Sequence, residues 1–147
     1  MTKLFVGTEL AKVIELNHPD SVADDSDAAV IVHPGQIHKV LAFLKQADDL
    51  DFQVLIALTA VDYIQYFEVI YHLLSMRRNT SCVIKVRLPG REELAIPSVT
   101  DLWRGAELQE REIWDLMGIK FEDHPNMKRI LLWEGFPGHP LRKDFIR

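Results

Sequence analysis

Hydrophobic residues recur at helical spacing in two segments of the first half of the chain. Residues 36–50 show it most clearly, because their apolar positions fall at i, i+3, i+4, i+7 and i+10 and line one face of a helix. These positions are Ile37, Val40, Leu41, Leu44 and Ala47. Residues 9–17 repeat the spacing over a shorter length, and Pro34 stands where a helix commonly starts. The pattern predicts two amphipathic helices.

Four other apolar segments have the length and composition of buried strands. They are residues 29–32, 54–63, 67–76 and 81–88. Only four residues separate the last two segments, so these must pair antiparallel, because a parallel pair needs a crossover of about a dozen residues. The order of helix, strand and helix, followed by a run of strands, indicates an α+β fold with a mixed, partly antiparallel sheet and packed helices.

The remaining segments predict a connector, a third helix and a tail. Residues 18–27 are polar and predict a solvated connector. Ser98 and Asp101 have the spacing of a capping box, which predicts a helical region from there through Met117, with a break at Gly105 and a left-handed cap at Gly118.

Residues 119–147 show no periodicity and predict an irregular, extended C-terminal tail. Large apolar side chains such as Trp133 and Phe136 indicate that this tail packs along the domain, against a partner, or both. We therefore predict one α+β domain at residues 1–118, with residues 119–147 as a docking tail of the same domain.

Composition narrows the class of protein. The 147 residues are 48% hydrophobic, enough for one core without a crosslink. Residues 1–75 hold 4 basic against 11 acidic residues, which argues against binding to nucleic acid. The single cysteine, Cys82, can form no internal disulfide and cannot hold a metal cluster by itself.

No apolar run reaches the roughly 20 residues of a membrane helix, and the first residues do not resemble a secretory signal. We predict a cytoplasmic chain that reaches a membrane only through another protein.

Residues 110–125 concentrate charge, with five carboxylates in sixteen positions. Paired carboxylates perform general acid–base catalysis where burial separates their pKa values. On a helix, however, only neighbours at i+3 or i+4 share a face, as Glu112 and Asp115 do. Arg111 and Asp115 have the spacing of an ordinary surface ion pair. A solvated, charged face is therefore favoured over an active site.

Histidine spacing gives little support to a metal site. His33 and His38 lie five residues apart and miss the i, i+4 arrangement that puts two imidazoles on one helical face. His124 and His139 each precede a proline in irregular chain, where a hydrogen-bonded turn residue is the favoured interpretation.

Glu110 differs from the other carboxylates because it lies within the apolar stripe of its helix, four residues from Ala106 and from Trp114. A carboxylate in that position is costly unless it has a partner. We predict that Glu110 is partly buried and hydrogen-bonded to an arginine of the tail or sheet, or to a partner chain.

The order of residues in this region resembles a known family. The series is Glu110-Arg111-Glu112, Asp115, Gly118-Ile119, His124-Pro125 and Lys128-Arg129-Ile130-Leu131. It resembles the 30-kDa subunit family of respiratory complex I, the proton-translocating NADH:quinone oxidoreductase. The likeness extends upstream through LTAVDY, FEVIYHLLS and PSVTDLW and downstream to GHPLRKDF, over residues 54–145.

The resemblance implies an accessory subunit of the hydrophilic, peripheral arm, which supports electron transfer from NADH to quinone coupled to proton translocation. Such a subunit has no active site and holds no flavin, cluster or metal, since NADH, FMN, the iron–sulfur clusters and quinone are bound by other subunits. Its implied partner is the D-type subunit, which forms much of the quinone pocket and is called the quinone-pocket subunit below, together with neighbouring subunits of the arm. The implied location is the cytoplasmic side of the bacterial plasma membrane.

The resemblance also assigns structural or docking roles to the matching residues. Those expected to hold the helix and its end are Glu110, Arg111, Glu112, Asp115 and Gly118; those expected to fix the start of the tail are His124, Pro125, Lys128 and Arg129; those expected along the partner are His139, Pro140, Leu141, Arg142, Lys143 and Asp144. Many family members continue beyond the point where this sequence stops, so the extent of the interface stays open.

Alternatives stay open as well. The equivalent subunit of a membrane-bound hydrogenase, or of a ferredoxin- or F420H2-dependent relative, would be distinguished by its partners. An independent small hydrolase that uses the carboxylates at 110–124 predicts activity of the isolated chain. A free-standing regulatory domain predicts a stable monomer that ignores membranes.

Overall fold

The computed structural model describes residues 2–146, which form a six-stranded mixed sheet, a two-stranded sheet and three α-helices. The helices are α1 Gly7–Asn17, α2 Ile37–Gln46 and α3 Ala106–Met117. The strands are β1 Lys3–Leu4, β2 Val22–Asp25, β3 Val30–Val32, β4 Val54–Asp62, β5 Tyr66–Ser75, β6 Thr80–Pro89, β7 Ala95–Pro97 and β8 Lys120–Glu122. The predicted α+β class is confirmed.

The large sheet has the order β2-β3-β6-β5-β4, and β1 pairs with β6 beyond the end of β3. β5 and β6 form the predicted antiparallel hairpin, in which Tyr71 lies opposite Ile84. β4 is antiparallel to β5, whereas β1 and β3 run parallel to β6. The predicted mixed, partly antiparallel sheet is therefore confirmed, and β4 is left as one of its edges.

One core lies between the helices and one face of this sheet. α2 buries four of its predicted apolar positions, while Ala47 ends the helix as its C-terminal cap. Alternate residues of β5, namely Phe67, Val69, Tyr71 and Leu73, are buried in the same core, as the two-residue period of a strand requires. Within residues 2–146, no helix is both long and apolar enough to cross a bilayer.

The connector predicted at residues 18–27 is wrong in part. Val22–Asp25 form strand β2, which pairs antiparallel with β3 at the edge of the sheet. Three of its four residues are exposed, and two of these are aspartates. An edge strand with acidic, solvated side chains has the composition of a loop. The hydrophobic pattern of the sequence therefore did not distinguish β2 from a connector.

The capping box predicted at Ser98 is also wrong. The helix begins only at Ala106, and residues 98–105 form turns before it. The Ser98 hydroxyl donates a hydrogen bond to the Glu110 side chain rather than capping a helix. The tail also departs from its predicted irregularity at its start, where β8 pairs in parallel with β7.

Candidate functional site

Helix α3 lies beside edge strand β4 and carries most of the charged residues singled out by the sequence. Its Gln109 side chain accepts a hydrogen bond of 2.6 Å from the backbone N–H of Leu58 in β4. Gly118 ends the helix with φ of 79°, the left-handed cap that was predicted. The segment after β8 then returns along the helix.

Glu110 is fully buried and joins α3 to the loop after β7. Its Oε1 accepts a 2.6 Å hydrogen bond from the Ser98 hydroxyl, and its Oε2 accepts one of 2.8 Å from the Val99 backbone N–H. Burial raises the pKa of Glu110 to about 7, because desolvation of the carboxylate outweighs these two hydrogen bonds. The predicted burial and hydrogen bonding are confirmed, but the bonding partners are a serine and a backbone amide instead of an arginine.

His124 secures the start of the tail to the same helix. The Asn126 backbone N–H donates to Nδ1 at 2.9 Å, so the ring proton lies on Nε2, which is 2.9 Å from the Glu107 carbonyl. Nε2 also lies 3.9 Å from Oε1 of Glu110. Both ring nitrogens are thus engaged within the fold, as expected of a hydrogen-bonded turn residue.

Asp115 holds the tail through four donors. Its Oδ1 accepts a 2.8 Å hydrogen bond from Nη1 of Arg129, and its Oδ2 accepts from the backbone N–H groups of residues 130, 131 and 132 at 2.8–3.2 Å. Burial by itself would raise the pKa of Asp115, but the hydrogen bonds from Arg129 and from these amides outweigh burial and hold the pKa below its usual value. Asp115 is therefore a buried, charged anchor.

The ion pair predicted between Arg111 and Asp115 is wrong. Arg111 instead donates to the backbone carbonyls of Lys128, at 3.1 Å, and Arg129, at 2.9 Å. Arg111 thus binds carbonyl groups of the tail backbone, whereas Asp115 accepts hydrogen bonds from its N–H groups.

Arg129 makes the largest set of contacts in this network. Besides Asp115, its guanidinium donates to the carbonyls of Phe136, at 2.7 Å, and Gly138, at 2.9 Å. It also lies over the ring of Trp114, with 5.5 Å between the guanidinium carbon and the ring centroid. A planar cation with five donors can fix several carbonyls at once, so Arg129 gives the irregular tail a defined path.

The end of the tail closes over the last turn of α3. Nδ1 of His139 lies 2.9 Å from the Asp115 carbonyl, and the Leu141 N–H donates to the Leu116 carbonyl at 2.9 Å. These carbonyls belong to the last four of the helix, which have no partner within it. The tail therefore supplies the C-terminal cap.

A second anchor for the tail was missed by the sequence reasoning. The Arg91 guanidinium donates two hydrogen bonds to the buried carboxylate of Asp62, from Nη1 to Oδ1 at 2.7 Å and from Nη2 to Oδ2 at 2.6 Å. The Lys143 N–H donates to the same carboxylate at 2.8 Å. Asp144 then binds both Arg91 and Arg142 at 3.0 Å. The hydrogen bonds from Arg91 hold the pKa of Asp62 well below its usual range. The one signal in the sequence was a lone carboxylate ending the apolar segment at 54–62.

The motif residues therefore divide into two sets. An inner set, bonded within the fold through its side chains, consists of Glu110, Arg111, Asp115, His124, Arg129, His139 and Arg142. An outer set with exposed side chains consists of Glu112, Pro125, Lys128, Leu141, Lys143 and Asp144, and Pro140 is half-buried. Asp144 is exposed but also pairs within the fold with Arg91 and Arg142. Glu112 and Asp115, which could share a helical face, thus lie in different environments.

Large apolar side chains are exposed along the tail. Trp133 is 65% exposed, Leu131 60% and Leu141 59%. The ring of Phe136 packs edge-on against Trp133 and stacks on Phe145, with centroids 5.8 and 6.1 Å apart. We call the exposed group Ile130, Leu131, Trp133, Leu141 and Ile146 the apolar tail surface. Exposed apolar side chains on a firmly held backbone are typical of a surface that meets another protein.

Comparison with known proteins identifies the family of this chain. Residues 30–147 match the model of the family described as respiratory-chain NADH dehydrogenase, 30 Kd subunit. The chain belongs to this family. Two related subunits of NADH-quinone oxidoreductase are those of Dinoroseobacter shibae, 43% identical over 93% of this chain, and of Chelativorans sp., 45% identical over 81% of it.

The fold of the family also occurs in a solved assembly. A chain in the structure of the membrane-bound sulfane sulfur reductase, an archaeal respiratory membrane complex, superposes with a TM-score of 0.76 and 26% identity. That match covers 95% of this chain and 85% of the other. The chain spans 66% and 60% of the length of the two bacterial relatives.

Proposed function

We propose that this chain acts as the 30-kDa subunit of NADH:quinone oxidoreductase, an accessory subunit of the peripheral arm that braces the quinone-pocket subunit. Its role is to support electron transfer from NADH to quinone, coupled to proton translocation, without a reaction centre of its own. The names of the bacterial relatives support this assignment. NADH, FMN, iron–sulfur clusters and quinone are bound by other subunits in this proposal.

The observation that carries the proposal is the apolar tail surface on a fixed backbone. Arg129 and Asp115 hold residues 129–132, and the Asp62–Arg91 pair holds residues 143 and 144. On the backbone held by these anchors, the side chains of Leu131, Trp133 and Leu141 are more than half exposed. Because the backbone is already ordered, a partner can cover these side chains without the cost of ordering the tail.

The proposed location is the cytoplasmic side of the bacterial plasma membrane, with attachment through the complex. The charged members of the outer set, Glu112, Lys128, Lys143 and Asp144, are the proposed polar contacts around the apolar tail surface. A polar rim around an apolar centre is the usual arrangement of a protein interface.

One related function is favoured by a specific observation. The likeness to a chain of the sulfane sulfur reductase complex supports a sister membrane complex, of the same kind as the hydrogenase and F420H2-dependent alternatives. The partners distinguish them: flavoprotein subunits that bind NADH for the first proposal, and nickel–iron hydrogenase or sulfur reductase subunits for the others. An independent hydrolase is disfavoured, because both carboxylate oxygens of Glu110 and of Asp115 already accept hydrogen bonds within the fold.

Purification from host membranes tests the proposal. The chain is tagged at its N-terminus, membranes are solubilised in mild detergent, and the recovered proteins are identified by mass spectrometry. Recovery of the quinone-pocket subunit with flavoprotein and iron–sulfur subunits is expected. Recovery of the tagged chain alone would overturn the proposal and reopen the carboxylates at 110–124 as an active site.

A matched pair of variants tests the surface itself. Leu131→Glu puts a charge on the apolar tail surface, whereas Leu16→Glu makes the same change at an exposed leucine of α1. We expect Leu131→Glu to lower recovery of the complex and Leu16→Glu to leave it unchanged. Equal recovery with both variants would exclude the tail surface as the contact.

A further inference from the structure

A groove lies between β4 and α3, beside the hydrogen bond that joins Leu58 to Gln109. It has a volume of about 370 Å³. Its apolar lining consists of Leu58, Ala60, Ile113, Leu116, Met117 and Leu141. The last of these belongs to the tail, so the groove opens beside the apolar tail surface. Its size suits one or two large apolar side chains.

The floor of the groove includes an unpaired strand edge. In the part of the chain that the structure describes, β4 is the last strand of the sheet and pairs only with β5. The Tyr63 N–H donates to the Tyr66 carbonyl, and antiparallel alternation then directs the backbone groups of Leu58, Ala60 and Asp62 away from β5. Gln109 already satisfies the Leu58 N–H. Within residues 2–146, the Ala60 N–H and carbonyl have no backbone partner.

The groove also has one charge at its rim. Glu112 is the only charged residue in its lining, is exposed, and makes no ion pair or hydrogen bond with the described part of the chain. Every other carboxylate of α3 that belongs to the motif is buried and bonded. Glu112 is therefore free to pair with a cation from outside.

We infer that this groove takes an extended segment of a partner subunit, which adds as a strand to the edge of β4, seats an apolar side chain in the groove and places a lysine or arginine beside Glu112. The inference rests on the proposed function and names a surface and a chemistry for its partner. In this mode of recognition, main-chain hydrogen bonds supply affinity and side-chain pockets supply specificity. The free edge, the apolar pocket and the lone carboxylate meet these three requirements.

Charge argues against a second copy of the chain as the occupant. β4 itself, Val54–Asp62, contains no basic residue and ends in an aspartate. Pairing of two β4 edges would therefore leave each Glu112 without a cation from the added strand.

Site-specific crosslinking identifies the occupant. A photo-crosslinking amino acid replaces Thr59, an exposed residue of the groove, in the tagged full-length chain within its membrane complex. The same replacement at exposed Leu16 of α1 serves as the control. We expect Thr59 to crosslink to one segment of a partner subunit that holds an apolar residue and a nearby lysine or arginine. A crosslink to a second copy, or no crosslink from an intact complex, would overturn the inference.

Charge reversal tests the role of Glu112. Glu112→Lys is expected to lower recovery of the partner by about tenfold, since a like charge then faces the partner's cation. Asp49→Lys, at another exposed and unbonded carboxylate, is the matched control and should leave recovery unchanged. The segment that Thr59 crosslinks should contain the lysine or arginine that pairs with Glu112. Replacement of that basic residue by glutamate should restore recovery with Glu112→Lys. Full recovery with Glu112→Lys would overturn the inference.

The two proposals fail differently. If the unmodified chain recovers the complex but Thr59 finds no partner segment, the proposed function stands and the groove inference falls. If the unmodified chain recovers no complex, the proposed function is wrong, and the partner segment inferred for the groove is then wrong as well. Glu112→Gln, which keeps the size of the side chain, separates loss of the ion pair from any effect of the added lysine on folding.

Discussion

Glu110 makes the stability of the fold depend on pH. Its pKa is about 7 in the folded chain and 4.5 in its unperturbed state, so the folded state keeps this proton to higher pH than the unfolded state. The stabilisation that results is complete below about pH 4.5 and is lost as the pH rises through about 7. Glu110→Gln removes the titration while keeping an oxygen for the Ser98 hydroxyl.

As the pH rises from about 5 to about 8, the unmodified protein should lose stability that Glu110→Gln keeps. We therefore expect the free energy of unfolding of Glu110→Gln, relative to that of the unmodified protein, to rise by up to about 3 kcal/mol over this range. Urea unfolding at several pH values measures the difference. Parallel profiles for the two proteins would show that Glu110 does not titrate in this range.

Asp115 gives a second prediction at the level of single residues. Asp115→Asn removes the charge that faces Arg129 and weakens three hydrogen bonds from backbone amides. Breaking a buried ion pair leaves an unpaired charge, so we expect a loss of about 2–4 kcal/mol in the free energy of unfolding. Glu112→Gln, on the exposed face of the same helix, should change it by less than about 0.5 kcal/mol. Similar losses in chemical denaturation of the two variants would contradict the anchor role.

The same residues show how far a sequence predicts a site. The position of Glu110 in an apolar stripe was sufficient to predict its burial, because helical periodicity is a local property. Its partners were not predictable in the same way, since Ser98 and Val99 come from a loop whose path depends on the pairing of β7 with β8. Arg111 was predicted to pair with Asp115, four residues further along the helix. It binds two carbonyls of the tail instead, because backbone carbonyls need hydrogen-bond donors.

At the level of elements, the junction between α3 and the tail depends on one glycine. Gly118 has φ of 79°, and a Cβ built there would lie 2.8 Å from the His139 ring. Gly118→Ala should therefore cost about 1–2 kcal/mol through backbone strain, and more through displacement of the ring. Gly105→Ala, at φ of −62° with open space around its Cβ position, is the matched control and should be neutral or slightly stabilising.

Thermal unfolding and amide exchange at Leu141 measure both effects. The Leu141 N–H is bonded to the Leu116 carbonyl, so displacement of the tail should speed its exchange. Unchanged exchange in Gly118→Ala would show that the tail caps the helix without depending on this turn.

The elements that bury one face have a strong hydrophobic period and were predicted from the sequence. The short elements without such a period were not predicted. α2 and the β5–β6 hairpin follow their hydrophobic patterns because their burial is nearly complete on one side. β2 and β8 are short and most of their side chains are exposed, so neither shows a repeating pattern, although Phe121 of β8 is buried in the core. The serine at 98 had the chemistry of a helix cap, but tertiary structure used it for Glu110.

At the level of the whole molecule, the tail is part of the fold and also carries the proposed interface. Its backbone is tied to α3 through Asp115 and to the sheet through Asp62, at points far apart in sequence. The sequence predicted that large apolar residues in the tail would need a surface to pack on. The structure gives Phe136 and Phe145 such contacts and leaves Leu131 and Trp133 exposed. Ordering the tail in advance prepares those side chains for a partner.

Deletion of the tail end tests this dual role. Removal of residues 139–147 takes away the cap on the Leu116 carbonyl, the N–H of Lys143 bound to Asp62, and the Asp144 partner of Arg91. We expect a lower Tm and a loss of about 2–4 kcal/mol in the free energy of unfolding, since buried polar groups lose their partners. Removal of residues 146 and 147 alone should cost less than about 0.5 kcal/mol, because the Ile146 side chain is 89% exposed. If the longer deletion left both stability and recovery of the complex intact, residues 139–144 would serve neither the fold nor the interface. Loss of stability with full recovery would limit them to the fold and place the interface at residues 130–133 and the β4 groove.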